Sequence, residues 1–395
     1  MLSTRINRLS TSATMAMNQK SRDLKAQGID VIDFSVGEPD FNTPDNIKKA
    51  AIKAIENNVT FYPPAAGFPA LLEAISKKLK RENNLEYKTS QIVVSCGAKN
   101  ALANVILSLI DKDDEVIIPT PYWVTYSELV KLAEGKSIIV KCSFENKFKI
   151  LPEQLENAIT PKTKALLLCS PGNPSGVVYS KEELYEIAKI VEKHPNIFII
   201  SDEIYEHINF AGKHETIAQF DFIHDRVVII NGVSKAYAMT GWRIGYMAGP
   251  EWLAKACIKL QGQTITGATT IAQMASIEAL NGDQTFVKEM NTIFKKRKDL
   301  IMNLLNEIPN IKVVEPQGAF YVFPVVNSYY GKTYNGNIIK DSNDLCMYLL
   351  EHAHVSTVPG EAFGEPSCIR ISYSTSEKNI IEGMNRIKKA MAELK

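Results

Sequence analysis

The sequence from residue 227 to residue 245 reads Val-Val-Ile-Ile-Asn-Gly-Val-Ser-Lys-Ala-Tyr-Ala-Met-Thr-Gly-Trp-Arg-Ile-Gly. Its first four residues are apolar on both faces, which is typical of a strand buried in a parallel sheet between helices. Lys235 follows at the mouth of this predicted strand. An amine in apolar surroundings has a lowered pKa, as Schiff-base chemistry requires. Arg243, framed by Gly241 and Gly245, adds a cation whose fork of donors suits phosphate.

Apolar runs and helical patterns alternate on the N-terminal side of this stretch. Candidate buried strands lie at residues 92–95, 115–118, 165–169, 197–201 and 227–230, with 244–248 as a weaker candidate. Helical patterns such as 181–192 lie between most of them. This alternation predicts an α/β fold with a mostly parallel, doubly wound sheet. In such sheets ligands bind beyond the carboxyl ends of the strands.

Five of the predicted strands are followed by chemically distinctive residues. They are Gly97-Ala98-Lys99 at the start of a helix predicted from 100 to 110, Tyr122-Trp123, the run from Ser170 to Gly176, Asp202-Glu-Ile-Tyr205, and Ser234-Lys235. Chance explains one such placement, but the same placement five times in order indicates a binding site at this edge of the sheet.

The pattern changes near residue 284. A charged amphipathic helix at 284–306 precedes predicted strands at 311–314 and 318–323, a helix near 342–353, a strand at 368–373 and a final basic amphipathic helix. This succession predicts a smaller α+β domain beside the first. We therefore expect an N-terminal arm with part of the small domain at 1–45, a large domain at 46–288 and a C-terminal small domain at 289–395.

The composition is that of an ordinary globular protein and excludes several function classes. Lys plus Arg number 45 against 44 for Asp plus Glu, so no basic excess indicates nucleic acid or a membrane surface. The six cysteines form no Cys-x-x-Cys pair and have no His at metal-ligand spacing, so we expect no metal and reduced thiols. No apolar run approaches the roughly 20 residues of a membrane span.

One group of residues at the predicted edge suits a phosphate. The backbone N–H groups of Gly97 and Ala98 at a helix start would form a cup together with the Ser234 hydroxyl and the Arg243 guanidinium. No Gly-x-Gly-x-x-Gly motif is present, so a dinucleotide is not implied.

A second group suits a heteroaromatic ring. Asp202 at a buried strand end needs a partner, which a protonated pyridine nitrogen would supply, and a helix cap is the alternative. Tyr205 and Asn173 are placed to reach a ring hydroxyl, and Trp123 is placed to stack on the ring.

The spacing Gly-x-Ser-Lys-x-x-Ala-Met-x-Gly-x-Arg-x-Gly at 232–245 resembles the pyridoxal-phosphate lysine signature of the class I and II aminotransferases. The resemblance extends from Ser12 to Arg370 and is nearest to the I-beta subgroup of bacterial aspartate aminotransferases. Its other hallmarks are Gly37-Glu-Pro-Asp-Phe41, the run from Ser170 to Gly176, Ser201-Asp-Glu-Ile-Tyr-Glu206 and Ile-Arg370-Ile-Ser-Tyr.

The resemblance implies a fold-type I enzyme with pyridoxal 5'-phosphate on Lys235, which also moves the proton at the substrate Cα. It implies that Arg370 grips the substrate α-carboxylate close to Gly37. Lys99 and Thr14 match positions that read a second, distal carboxylate. We therefore expect ping-pong transfer between L-aspartate and 2-oxoglutarate, giving oxaloacetate and L-glutamate, with prephenate as a further candidate substrate.

The resemblance also implies a homodimer with shared active sites, because Tyr62 matches a residue that reaches the phosphate of the neighbouring subunit. Gly232 stands where many relatives have a hydroxyl, so one phosphate contact is expected to be absent. Family-like sequence begins near Ser12, so we expect no removable leader and a cytoplasmic protein.

Three alternatives differ in reaction or class. Another pyridoxal-phosphate enzyme of the same fold, such as an aromatic, kynurenine or alanine aminotransferase or a carbon–sulfur lyase, would share the lysine, aspartate and arginine. A transcription regulator would need an added DNA-binding domain and a basic patch. A structural protein would have no need for Lys235, Asp202 and Arg370 together.

Overall fold

The structure is a computed structural model that describes the backbone of residues 2–11 and 13–395, and the side chains of these residues except 13–15. The strands are β1 (Ile32–Asp33), β2 (Ile92–Ser95), β3 (Glu115–Pro119), β4 (Lys136–Val140), β5 (Thr163–Cys169), β6 (Phe198–Asp202), β7 (Val227–Gly232), β8 (Gly245–Ala248), β9 (Tyr321–Val322), β10 (Thr333–Tyr334), β11 (Asn337–Ile338), β12 (Val355–Ser356), β13 (Val358–Pro359) and β14 (Ile369–Ser372). The helices are α1 (Thr4–Asn7), α2 (Ala13–Ala26), α3 (Asp45–Glu56), α4 (Pro69–Asn83), α5 (Ala98–Leu109), α6 (Thr125–Leu132), α7 (Pro152–Ala158), α8 (Lys181–Glu192), α9 (Glu251–Thr264), α10 (Thr270–Asn281), α11 (Thr285–Asn306), α12 (Ser342–His352) and α13 (Glu377–Glu393).

A seven-stranded sheet carries the residues singled out by sequence. Its order is β2-β8-β7-β6-β5-β3-β4, and β8 runs antiparallel to both of its neighbours while the remaining pairs are parallel. The carboxyl ends of β2, β3, β5, β6 and β7 therefore point to one edge. This mostly parallel arrangement confirms the predicted fold class.

Alternate residues of the central strands pack into two separate apolar layers. Val227 and Ile229 of β7 belong to a cluster with α4, α8 and α10. Val228 and Ile230 face the opposite layer, which contains α5, α6 and α9. All four side chains are fully buried, and burial of each stabilises the fold by about 1.5–3 kcal/mol. The helices on both faces explain why this run is apolar throughout.

A third apolar cluster holds the remaining helices and short strands. It joins residues of α2, α11, α12 and α13 to Phe34 and to the strands β9 and β14. The strand β1 pairs in parallel with β12, and β9, β14 and β13 form an antiparallel sheet. Residues 31–35 thus pack with the C-terminal part of the chain. The domain boundaries at 45 and 288 stay a prediction.

Most predicted elements lie within two residues of the observed ones, with three differences. The run 311–314 is not a strand, because only Lys312 forms an isolated bridge, to Val325. Of the predicted strand 318–323 only Tyr321–Val322 forms a strand, and Gly318 forms an isolated bridge to Asn209. The edge strand β4 was not predicted, since its residues are only partly buried and its apolar run is short. No helix in the described part of the chain is long and apolar enough to cross a membrane.

Close packing of backbone fixes where α5 begins relative to β8. A Cβ atom added to Gly245 would lie 2.1 Å from the backbone nitrogen of Ala98 and 2.5 Å from the carbonyl carbon of Gly97. Backbone atoms of a buried helix start cannot move aside as a flexible side chain does. Gly245 is therefore required for the start of α5 to approach the stretch that carries Lys235.

We expect Gly245→Ala to lower the stability of the protein by about 1–3 kcal/mol, because the added methyl group overpacks this contact. The matched control is Gly262→Ala in α9, where an added Cβ meets nothing within 4 Å. This control should raise stability by about 0.5–1 kcal/mol, since alanine is the better helix former. Thermal unfolding midpoints measure both variants, and equal midpoints would contradict the packing argument.

Candidate active site

A cavity of about 290 Å³ lies at the carboxyl edge of the seven-stranded sheet. The residues of the sequence analysis that line it are Gly37, Ala98, Lys99, Trp123, Asn173, Asp202, Tyr205, Ser234, Lys235, Arg243 and Arg370. Tyr126, Cys169, Thr240 and Tyr321 are among the other lining residues. Residues far apart in sequence thus meet at this site. Arg370, for example, donates a hydrogen bond to the carbonyl oxygen of Ser35, which is 335 positions away in the sequence.

Lys235 lies in the loop after β7, and its amine points into the cavity. The Nζ atom donates a hydrogen bond of 2.6 Å to the carbonyl oxygen of Gly37. Burial lowers the pKa of Lys235 to about 8. The nearby positive charges of Arg370 and Arg243 also lower this pKa, whereas the negative charge of Glu38 raises it. The amine therefore exists in both protonation states near neutral pH, as a group that accepts and returns protons requires.

Asp202 ends β6 and is 4% exposed. Its Oδ2 atom accepts a 2.7 Å hydrogen bond from the Tyr126 hydroxyl, and Oδ1 accepts a 3.3 Å bond from the backbone N–H of Ile204. Burial raises the pKa of Asp202 to about 6, although these two bonds oppose the rise. A carboxylate buried in this way attracts a cationic partner within the cavity.

The start of α5 and the loop after β7 lie together, at the place where the sequence predicts a phosphate cup. An added Cβ on Gly97, which has a φ of +83°, would lie 2.4 Å from an Arg243 nitrogen, so the guanidinium rests directly on this glycine. Arg243 donates hydrogen bonds to the carbonyl oxygens of Thr240 (2.9 Å) and Cys96 (3.4 Å). Ser234 is 6% exposed and lines the same cavity.

Gly232, where the resemblance leads us to expect a hydroxyl, lies against the backbone of β8. A Cβ atom there would lie 2.7 Å from the carbonyl oxygen of Ile244 and 2.8 Å from the Cα atom of Gly245. The pairing of β7 with β8 thus leaves no room for a hydroxyl-bearing side chain at this position.

Arg370 is 2% exposed, and its guanidinium is only partly satisfied by the protein. It donates hydrogen bonds to the Asn173 side-chain oxygen (3.1 Å) and to the Ser35 carbonyl oxygen (2.7 Å), whereas its Nε atom has no partner among the described residues. No ion pair in the described part of the chain includes Arg370. A buried cation in this state is suited to an external anion.

Charge in the cavity is unbalanced. Among the described residues its lining has four cations, Lys99, Lys235, Arg243 and Arg370, and a single carboxylate, Asp202. Lys99, which is exposed, lies 4.8 Å above the Trp123 ring. Desolvation of its amine and the nearby Arg243 both lower the pKa of Lys99. The excess of positive charge indicates ligands with several negative charges.

Two of the described site residues predicted from sequence, Tyr62 and Gly97, do not line this cavity. Tyr62 is 89% exposed, next to Phe61, which is 81% exposed. Thr14 falls in α2, but its side chain lies outside the described residues. Gly97 supports the cavity from behind, through its contact with Arg243.

Sequence reasoning missed two tyrosines in the cavity. Tyr126 donates a hydrogen bond to Asp202, and the available signal was its position three residues after Trp123, at the start of α6. The Tyr321 hydroxyl lies 2.9 Å from the Tyr205 hydroxyl, and the Tyr321 ring lies 4.6 Å from the Arg370 guanidinium carbon.

A buried polar network behind the site was also missed. Lys78 of α4 is 1% exposed and forms an ion pair with Glu206, which also accepts a 2.8 Å hydrogen bond from the Asn231 side chain. Although burial acts in the opposite direction, the Lys78 amine lowers the pKa of Glu206 far below its ordinary value. The network ties α4 to the segments that carry Asp202 and Lys235.

Comparison with known proteins gives consistent matches. The family model "Aminotransferase class I and II" matches residues 29–387. A probable aspartate/prephenate aminotransferase of Rickettsia bellii is 46% identical over 100% of this chain and 99% of the relative. An aspartate aminotransferase of Bacillus sp. (strain YM-2) is 46% identical over 98% of each chain.

Solved structures match over the whole length as well. The aspartate aminotransferase of Rhizobium meliloti superimposes with a TM-score of 0.97, at 42% identity and 100% coverage of both chains. The Thermus thermophilus aspartate aminotransferase with maleate has a TM-score of 0.93, 38% identity and 99% coverage of both chains.

We expect labelling of Lys235 by a small acylating reagent, in protein without bound ligands, to rise through pH 8 or so, since the neutral amine is the nucleophile. An ordinary lysine titrates at about 10.4. Mass spectrometry of the Lys235 peptide across a pH series measures the midpoint, with the peptide of the exposed Lys213 as the reference for reagent dose. A Lys235 midpoint near the ordinary value would contradict the burial argument.

Proposed function

The chain belongs to the class I and II aminotransferases, and we propose that it moves an amino group between L-aspartate and 2-oxoglutarate with pyridoxal 5'-phosphate as its cofactor. The observation that carries this proposal is the cavity whose described lining combines four cations with one buried carboxylate. A cationic ring, a phosphate and a dicarboxylate together match that distribution of charge.

The residues present fit the cofactor. The unpartnered Nε atom of Arg370 and the guanidinium of Arg243 against Gly97 leave anion-binding capacity at two separate places. We assign the phosphate to Arg243, Ser234 and the start of α5 at Gly97 and Ala98. Backbone N–H groups at the N-terminus of a helix are suited to binding an anion.

The ring would be held by a second set of side chains. Asp202 would face the ring nitrogen and keep it protonated, Asn173 and Tyr205 would reach the ring hydroxyl, and Trp123 would stack on its face. When bound, pyridoxal 5'-phosphate supplies an aldehyde that takes up the amino group and a cationic ring that withdraws electrons from the substrate Cα.

Lys235 anchors the cofactor and then acts on protons. Once released from the cofactor, its amine would take the proton from the substrate Cα and return it to the cofactor carbon. A pKa of about 8 places both protonation states within reach of neutral pH. The amino group stays on the enzyme between the two half-reactions, so we expect ping-pong kinetics.

Two cations would read the two carboxylates of the substrate. Arg370, held by Asn173 and Ser35, would bind the α-carboxylate next to Gly37. Lys99, above Trp123, would bind the distal carboxylate, and Thr14 is proposed to assist it. The Thermus thermophilus enzyme was solved with maleate, which is a dicarboxylate, and the Rickettsia bellii relative is named for aspartate and prephenate. Prephenate, also a dicarboxylate, is therefore a further candidate.

We propose a homodimer with shared active sites. Two neighbouring aromatic side chains, Phe61 and Tyr62, are almost fully exposed in the single chain, which is unusual unless a partner covers them. Tyr62 would then reach the phosphate of the neighbouring subunit.

We propose that the boundaries near residues 45 and 288 separate a large cofactor-binding domain from a smaller one. Six free cysteines support a cytoplasmic location, where thiols stay reduced.

The test of the function is a panel of amino donors and oxo-acid acceptors on the purified protein. Formation of L-glutamate from L-aspartate and 2-oxoglutarate is the expected result. Release of ammonia and pyruvate from a sulfur amino acid, without amino transfer, would favour a carbon–sulfur lyase instead.

We expect Lys99→Ala to lower kcat/KM for L-aspartate and 2-oxoglutarate about 30-fold, or about 2 kcal/mol, because the distal carboxylate loses its cation. L-Alanine, which has no distal carboxylate, should lose little. Lys112→Ala is the matched control, since Lys112 is exposed just beyond α5 and does not line the cavity. Equal losses for aspartate and alanine would show that Lys99 serves the cofactor or the fold.

We expect a mixture of two inactive variants, Lys235→Ala and Tyr62→Asp, to regain activity after subunit exchange. Each hybrid dimer would have one site with a native Lys235 and a native Tyr62 from the partner, so about a quarter of wild-type activity should return. Mixing Lys235→Ala with Arg370→Ala is the control, because both changes affect residues that one chain contributes to its own cavity. Recovery in neither mixture would contradict a shared site.

A further inference from the structure

Tyr126 is the residue in direct contact with the buried carboxylate of the site. It lies in α6, is 1% exposed, and belongs to the apolar layer formed by α5, α6 and α9. Its hydroxyl donates a 2.7 Å hydrogen bond to Oδ2 of Asp202. Its ring meets the Trp123 ring edge-on, with centroids 5.6 Å apart.

The bond from Tyr126 is the shorter of the two hydrogen bonds that the described residues donate to the Asp202 carboxylate. The other, from the backbone N–H of Ile204 to Oδ1, is 3.3 Å long. The nearby Glu203 carboxylate acts against the charged form of Asp202, and the Lys235 amine favours it. Burial raises the pKa of Tyr126 well above its ordinary value, so its hydroxyl remains a donor. Oδ2 thus has a fixed donor on a rigid helix.

We propose that Tyr126 is a positioning residue that holds the Asp202 carboxylate in its charged form and aims it at the ring nitrogen of the cofactor. The inference rests on the proposed function, because it requires pyridoxal 5'-phosphate as the ligand. It adds a residue that no motif in the sequence singles out.

The Tyr126 hydroxyl compensates for the cost of keeping Asp202 charged. Asp202 is charged only at a cost, since it is almost completely removed from water. A hydrogen bond to a charged acceptor is about twice as strong as one between neutral groups, so the hydroxyl favours the carboxylate over the protonated acid. Without it, Asp202 takes up a proton more readily and a protonated ring nitrogen loses its counter-charge.

A purely structural role for Tyr126 predicts a different outcome. Loss of packing or of a buried hydrogen bond would weaken binding of every ligand that fills the cavity. Loss of the aligned charge on Asp202 weakens the binding of only those ligands that have a ring nitrogen. Comparing two cofactors that differ in this one atom separates the two roles.

The experiment measures dissociation constants of the full-length, cofactor-free protein for pyridoxal 5'-phosphate and for its analogue with C–H in place of the ring nitrogen. The variants are Tyr126→Phe, Asp202→Asn, the double variant, and Tyr348→Phe as the control. Tyr348 is also buried, and its hydroxyl donates a 2.8 Å hydrogen bond to the Ala390 carbonyl oxygen, away from the cavity.

We expect wild type and Tyr348→Phe to prefer the natural cofactor equally. In Tyr126→Phe this preference should fall about tenfold, which is the usual effect of losing one hydrogen bond to a charged group. Asp202→Asn should remove the preference, and adding Tyr126→Phe to it should change nothing more, because both act through the same carboxylate.

Two outcomes would overturn the inference. One is an increased preference in Tyr126→Phe, and the other is an unchanged preference, whether both affinities stay the same or fall by the same factor. A wild-type protein that binds neither cofactor would contradict the proposed function itself, which distinguishes the two failures.

Discussion

The buried carboxylate of Asp202 among four cations is the constraint on which the site depends. A charge 4% exposed at the end of a central strand requires partners, and within the described part of the chain only the Tyr126 hydroxyl and the Ile204 backbone N–H donate hydrogen bonds to this carboxylate. Burial moves the pKa of Asp202 up and that of Lys235 down, towards each other. The cavity is therefore organised for a ligand that combines a cationic ring with several anionic groups, as pyridoxal 5'-phosphate with a dicarboxylate does.

The sheet brings these groups together by topology and by close backbone contact. Parallel strands β2, β3, β5, β6 and β7 end at one edge, so residues far apart in sequence meet there. The antiparallel strand β8 returns between β2 and β7, and its Gly245 touches the start of α5. Behind the site, the ion pair of Lys78 with Glu206 joins α4 to the Asp202 segment. These contacts hold the start of α5, where we propose that the phosphate binds, close to the Lys235 loop.

The sequence predicted the sheet and most of the cavity because strand ends are readable from apolar runs. Lys235, Asp202 and Asn173 each follow such a run, and topology alone places them together. Tyr126 could not be found in this way, since its role depends on which face α6 presents to β6. Lys78 stands among other lysines in a helix, so only tertiary packing reveals that it is buried. The run at 311–314 was apolar enough for a strand but has no partner beyond the bridge at Lys312.

The central claim is that Lys235 holds the cofactor in this cavity, and borohydride reduction tests it most directly. The protein is incubated with pyridoxal 5'-phosphate, reduced, digested and analysed by peptide mass spectrometry. The account predicts that the phosphopyridoxyl group is found on Lys235 and is lost from the protein in Lys235→Ala. Labelling mainly at other lysines, such as Lys99, or no labelling of Lys235 would contradict it.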